Sequence, residues 1–226
     1  MVEFKGLGIA LAVFLLLAGC GSGYRKHVAI EERKQAMQEK VEVEAYLFDA
    51  RLRRRGKPTT FRLEIFQTDS VIALGGRAYL GKGALKGRMT ADSLEVYFPS
   101  SNEYLYELLS DLFTTVECPN RVPDFNLLSL FDSLPDSIGE IGNVSVESDY
   151  SNSKRPRFNI LLPDCPWRIE LQYDWQPAGW RIRSFVFDDG QGVSLKARRR
   201  EYKKRARVPL NKFQVLPPDD AVRIIP

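Results

Sequence analysis

Apolar and polar positions alternate with a period of two along much of the chain, and that rhythm predicts half-buried β-strands. It shows in "VEAYLFDARLRRR" and again in "TTFRLEIFQT", where Phe61, Leu63 and Ile65 share one face and Arg62, Glu64 and Phe66 the other. "RGKP", Arg55 to Pro58, is the turn between them. "SVIALGG", "RAYLGKG", "ALKGRMT" and "DSLEVYFP" are short and punctuated by glycines or Asp-Ser, the spacing of an antiparallel meander that "NEYLYE" extends. After a central interval the alternation resumes in "NVSVESDY", "RFNILLP", "WRIELQYD", "GWRIRSFVF" and "VSLKARRR", with "DWQPAGW" and "DDGQG" as hairpin turns. The tail "NKFQVLPPDDAVRIIP" reads as one more strand, a Pro-Pro break and a short final segment.

Three stretches depart from this rhythm. "AIEERKQAMQEKVE" holds strong helix formers without Gly or Pro, which predicts a helix from Ile30 to Glu42. "ELLSDLFTTV" places Leu108, Leu109, Leu112 and Val116 at helical spacing. "DFNLLSLFDSL" opens on Asp124 as an N-cap and ends before Pro135; its Leu127, Leu128, Leu130 and Phe131 make an apolar helix that must face something greasy. No long repeat interrupts the pattern, so the structured part is one domain of α+β class, residues 30–226.

The opening differs in kind. Gly6 to Leu17 is almost wholly apolar, about a dozen residues, too short for a permanent span of roughly 20. A charged start, an apolar middle and small residues at the end are the layout of a secretory signal. Leu17-Ala18-Gly19-Cys20 resembles the bacterial lipobox. That resemblance implies a diacylglyceryl group on Cys20, cleavage before it and acylation of the new amino terminus, palmitate being the expected kind of chain. Residues 1–19 are then the signal peptide and 20–29 a lipidated tether, in which Gly-Ser-Gly supplies the flexibility. An ordinary cleaved signal or an anchor helix with an incidental cysteine is the alternative. Position 21 is Gly rather than Asp, which by resemblance to enterobacterial sorting favours the outer membrane, lipid-anchored and facing the periplasm.

Composition adds mainly exclusions. The chain has 226 residues, 44% hydrophobic and 27% charged, with a net charge of +4, ordinary for a globular protein and too weakly basic to imply nucleic acid. Three cysteines and one histidine leave little for a zinc site or for histidine acid–base chemistry. With Cys20 lipidated, Cys118 and Cys165 remain, an even pair that reads as a disulfide in an oxidising compartment, or as two buried thiols.

The order is lipobox, helix, strands, central helices, strands. Together with Asp69 to Tyr106, in which Thr90, Asp92, Leu94 and Val96 fit a T-x-D-x-hydrophobic pattern, and the closing "FQVLPPDDAVRI", it resembles the LolA/LolB-like superfamily of bacterial lipoprotein localisation factors, including uncharacterised lipoproteins of that fold. The resemblance implies a curved antiparallel sheet, an incomplete β-barrel, with helices over its concave face and an apolar cavity between that takes acyl chains of lipoproteins or lipids. Phe61, Leu63, Ile65, Leu127, Leu128 and Phe131 are the candidate cavity wall. The same residues also fit a plain filled core, the scaffold of a non-enzymatic structural or assembly lipoprotein. In the family's receptor member an exposed loop with an apolar tip meets the membrane, and Leu80 is the nearest counterpart.

Two basic clusters stand out: Arg51, Arg53, Arg54, Arg55 and Lys57, and then Lys196, Arg198, Arg199, Arg200, Lys203, Lys204, Arg205 and Arg207. Arg198, Arg199, Arg200, Lys203 and Lys204 are candidates for contact with anionic headgroups on a tethered protein, with lipopolysaccharide phosphates or with an acidic partner, or they form a solvated strand edge kept from aggregating by its charge. The Asp pairs at 188–189 and 219–220 suit turns rather than metal ligation, and Gly75, Gly76, Gly81, Gly83 and Gly87 suit hairpin turns or bulges rather than a phosphate loop. Expected partners are the membrane, through the lipid, and lipoprotein or lipid cargo. No enzyme activity, cofactor or nucleic acid is expected.

Overall fold

The computed structural model describes residues 39–54, 56–78, 83–108, 129–131, 133–135, 145–161, 166, 168–188, 190 and 192–224. Among them, twelve strands form one open sheet. A first meander runs β1 (Lys40–Arg54), β2 (Lys57–Gln67), β3 (Ile72–Ala78), β4 (Gly83–Met89), β5 (Ser93–Phe98) and β6 (Glu103–Leu108). A second runs β7 (Ser145–Asp149), β8 (Arg157–Leu161), β9 (Arg168–Gln176), β10 (Gly179–Asp188) and β11 (Val193–Pro209), and the chain ends on β12 (Val222–Arg223). The spatial order is β12-β6-β5-β4-β3-β2-β1-β11-β10-β9-β8-β7. Neighbours are antiparallel except β12, which lies parallel to β6. The two meanders are joined by the longest strands, β1 and β11, paired from Lys40↔Pro209 to Arg54↔Val193.

Short-range chemistry sets several turns. Thr90 Oγ1 accepts from the amides of Asp92 (3.3 Å) and Ser93 (3.0 Å) and closes the β4–β5 turn, and Thr68 Oγ1 accepts from Val71 N (3.1 Å) between β2 and β3. The expected β9–β10 and β10–β11 turns are present, with Gly179 and Gly190 at φ +108° and +69°.

Other expectations are corrected. Lys40 to Glu42, expected at the end of a helix, are strand. Val41 and Val43 stand opposite Val208 and Ala206, and that ladder overrides the local preference for helix. Glu107 and Leu108 belong to β6, opposite Leu94 and Ser93. Ser129–Phe131 is a 3₁₀ turn, and no α-helix occurs among the described residues. The rest of the expected helices lies outside the described residues. Asn211 to Val215, expected as strand, begins with a 3₁₀ turn (Leu210–Phe213) and continues extended without a ladder.

Gly75 and Gly76, expected in a turn or bulge, lie in β3, and Gly76 borders a bulge against β4 between Gly76 and Arg77. The smallness of Gly76 also serves packing: a Cβ there would sit 2.8 Å from Leu85 Cγ.

Alternation gives the sheet an inner apolar face. Tyr46, Ile65, Leu74, Gly87, Val96 and Leu105 stand in one row across β1 to β6. The outer face is crossed by the C-terminal segment. It leaves β11 at Pro209 and reaches β6 on the far side of β1 to β5, so it straps five strands. Lys86 Nζ donates to Asn211 O (3.1 Å), and Lys212 pairs with Glu64 (3.2 Å) while lying over the Phe66 ring. Val43, Val208 and Val215 are buried. A groove of about 520 Å³ runs beside the strap, lined in part by Val41, Val71, Leu210, Phe213 and Leu216.

Candidate functional site

The inner face of seven strands merges into one core. β1 supplies Tyr46, Phe48, Ala50 and Leu52; β2 supplies Phe61, Leu63 and Ile65; Ile72 comes from β3. β8 to β11 complete it with residues such as Phe158, Leu171, Ile182 and Leu195. Burying side chains of this size is worth ~1.5–3 kcal/mol each. Leu130, Phe131 and Leu134 from the 129–135 segment rest on this face. Two phenols fasten that segment: Tyr173 donates to Leu130 O (2.8 Å), and the Tyr46 ring meets Phe131 edge-on at 5.7 Å.

At one end the apolar surface gives way to a polar cluster. Arg181 grips Glu44 with two bonds, Nε to Oε2 and Nη2 to Oε1, both 2.7 Å. This is the bidentate geometry that a guanidinium favours. Tyr46 donates to Glu44 Oε2 as well (2.9 Å). Asp174 accepts from Arg199 (2.5 Å), Arg183 (3.1 Å) and Gln176 (3.1 Å). Arg199 also donates to Ile182 O (2.6 Å). The Tyr202 ring sits between Arg181 and Arg199, 5.9 and 5.7 Å from their guanidinium carbons.

Burial pushes the Glu44 carboxyl up, but the bonds from Arg181 and Tyr46 outweigh it, and its pKa lies below the ordinary glutamate value. Asp174 behaves alike: burial raises it, and Arg199, Gln176 and Arg183 together bring it below the usual aspartate range. Burial, reinforced by the charge on Glu44, drives the Tyr46 phenol well above its ordinary pKa, so it remains a donor at any physiological pH. The cluster sits where the sheet splits. Backbone pairing between β10 and β11 ends at Ser184↔Arg198. Beyond that, Gly179–Ile182 pair with β9 and residues 199–209 run beside β1, so side chains replace the missing ladder. Chemically the arrangement fixes charge and shape. It presents no free carboxylate for acid–base work among these residues.

The sequence candidates fall in different places. Phe61, Leu63 and Ile65 are together on the inner face, with Phe131 packed against it. Leu127 and Leu128 lie outside the described residues, as do Cys20, Cys118, Cys165 and Leu80. Of the basic candidates, Arg198, Arg200, Lys203 and Lys204 are exposed. Arg199 is not: its side chain is only 7% exposed and is held by Asp174. The expectation that it faces a membrane is corrected, because its position opposite Phe48 turns it to the inner face. The two basic runs, far apart in sequence, lie side by side, with Arg51 opposite Lys196.

Sequence reasoning missed Glu44, Asp174, Arg181 and Tyr202. For Glu44 the signal was available. It shares parity with Tyr46 and Phe48, and a carboxylate at an inward position needs a buried partner. Arg199 shares parity with Leu195 and Ala197 in the same way.

No family model and no curated relative matches the chain. Structural neighbours include an uncharacterised conserved protein from Thermus thermophilus (12% identity, TM-score 0.38), covering 87% of this chain and 99% of that one. They also include a putative outer membrane lipoprotein-sorting protein domain from Vibrio parahaemolyticus (10% identity, TM-score 0.37) and a DUF1329 family protein from Desulfovibrio piger (8%, 0.38). Each of these two covers 76% of this chain and 89% of its own.

Proposed function

We propose that this chain is an envelope lipoprotein, anchored through lipid on Cys20 to the outer membrane and facing the periplasm, whose sheet holds acyl chains of lipoproteins or lipids on its inner face. The observation that supports the reading is that inner face: seven strands of an open sheet pool their apolar side chains into one continuous buried cluster. Apolar burial at ~25 cal/mol per Å² would drive loading without any chemical step. The lipobox-like Leu17 to Cys20 supports the envelope location.

Lipid extraction and native mass measurement of gently purified protein test the cargo. Co-purified lipid, or a fluorescent fatty acid displaced saturably by an acylated peptide, is the expected result; absence of both rejects acyl binding. Labelled palmitate should enter the native protein but not Cys20→Ser.

A second reading, a structural lipoprotein with a filled core, is favoured by one observation. The inner side chains Phe48, Phe158, Tyr173 and Leu195 are fully buried, and Tyr173 is tied to the overlying turn. The same probe experiment separates the two, since a filled core takes up nothing.

A further inference from the structure

We infer that the free edge of β11, residues 200–209, is a docking edge for an acidic, extended peptide segment of a partner protein. Three observations converge on it. First, β10 stops pairing with β11 at Ser184↔Arg198, so beyond that point the backbone of β11 is bonded to β1 on one side only. Among the described residues nothing pairs with its other edge. A row of open N–H and C=O groups is the template to which an extended segment adds as a further strand.

Second, the edge is strongly cationic. Arg200, Lys203, Lys204, Arg205 and Arg207 stand against a single acid, Glu201, in the run from 200 to 207. Lys203 and Arg205 are 64% and 75% exposed, and their carboxylate partners, Glu201 and Glu42, are half exposed themselves. Pairs this wet contribute little and exchange readily for another carboxylate. Lys204 and Arg207 are exposed.

Third, the edge is stiff at its upper end. Arg199 and Tyr202 are locked against Ile182, Arg181 and Asp174, so the strand is held in place without a second neighbour, and its ladder with β1 shifts register opposite Leu47/Phe48 and opposite Val43/Ala45. A bare charge patch would suit an anionic bilayer equally well. The unpaired backbone beside it is what selects a peptide, because an extended backbone matches its repeat of donors and acceptors and a lipid headgroup does not. The proposal is independent of acyl binding on the inner face.

The test uses the purified protein in mild detergent and a blocked, fluorescently labelled decapeptide of alternating glutamate and threonine, read by anisotropy. Saturable binding is expected. The same peptide N-methylated at alternate amides keeps its charge and loses its donors, and should bind at least ~10-fold more weakly, since several hydrogen bonds of ~0.5–1.5 kcal/mol each are lost. A lysine–threonine peptide should not bind. The triple substitution Lys203→Glu, Lys204→Glu, Arg205→Glu, all at exposed positions, should abolish binding of the acidic peptide. Equal binding of the N-methylated peptide overturns the proposal. So does binding of short-chain phosphatidylglycerol micelles with no binding of any peptide, which would assign the stretch to anionic surfaces.

Discussion

Replacing Arg199 by alanine should destabilise the protein where the same change at Arg198 or Arg200 does not. The three are consecutive and identical in chemistry, so the contrast isolates position. Arg199 makes two short charge-assisted bonds, to Asp174 at 2.5 Å and to Ile182 O at 2.6 Å, with its side chain 7% exposed. Charge-assisted bonds are worth ~1.5–3 kcal/mol each, and orphaning a buried carbonyl costs ~1–3 kcal/mol. Asp174 keeps Arg183 and Gln176, which softens the loss. The net expectation is about 3 kcal/mol, or a fall in Tm of about 6–12 °C for a domain of this size.

Urea unfolding followed by tryptophan fluorescence is the assay, run at neutral and at acid pH. The native pKa of Asp174 is depressed below the ordinary 3.8. Its pairing therefore contributes stability that is complete above the unfolded value and lost as pH falls through the folded one. The gap between parent and Arg199→Ala should be full at pH 7 and should shrink below about pH 4. If Arg199→Ala matches Arg198→Ala at pH 7, Asp174 does not hold this guanidinium and the account of the sheet's split is wrong.

Three further outcomes are expected. Gly76→Ala should cost about 1–3 kcal/mol through overpacking against Leu85, and the double variant with Leu85→Ala should be less destabilised than the two singles added, in a denaturant double-mutant cycle. Gly190→Ala should destabilise both through its φ of +69° and through a Cβ 2.8 Å from Pro166, measurable as a lowered Tm; an unchanged Tm would contradict the β10–β11 turn geometry. Truncation after Pro209 removes the strap and should expose Val43 and Val71, raising binding of a hydrophobic dye while the β-sheet signal in circular dichroism persists.

Much of the strand pattern was legible because a two-residue period reports directly on which side chains share a face. Phe61, Leu63 and Ile65 read as one face and share the inner one, and the turns at Gly56, Gly179 and Gly190 fall where turn chemistry puts them. Lys40 to Glu42 misled because helix preference is local, whereas their ladder partners lie about 165 residues later. Gly76 borders a bulge, one of the two roles its residue type suggests, and the room it leaves for Leu85 is what the sequence does not show. Arg199 was hidden among like-charged neighbours. Its parity with Leu195 and Ala197 separates it from Arg198 and Arg200, and the register, with Phe48 across from it, places it on the same inner face. The split between β10 and β11, on which the polar cluster depends, leaves no mark in composition or periodicity.

The ladder between β1 and β11 has a kinetic side. The first strand cannot find its partner until nearly the whole chain has been made, so its edge stays bare while nine strands are synthesised. Such long-range closure is slow. The two meanders can form locally as they are made, but the central seam that joins them into one sheet closes only after β11 has been synthesised.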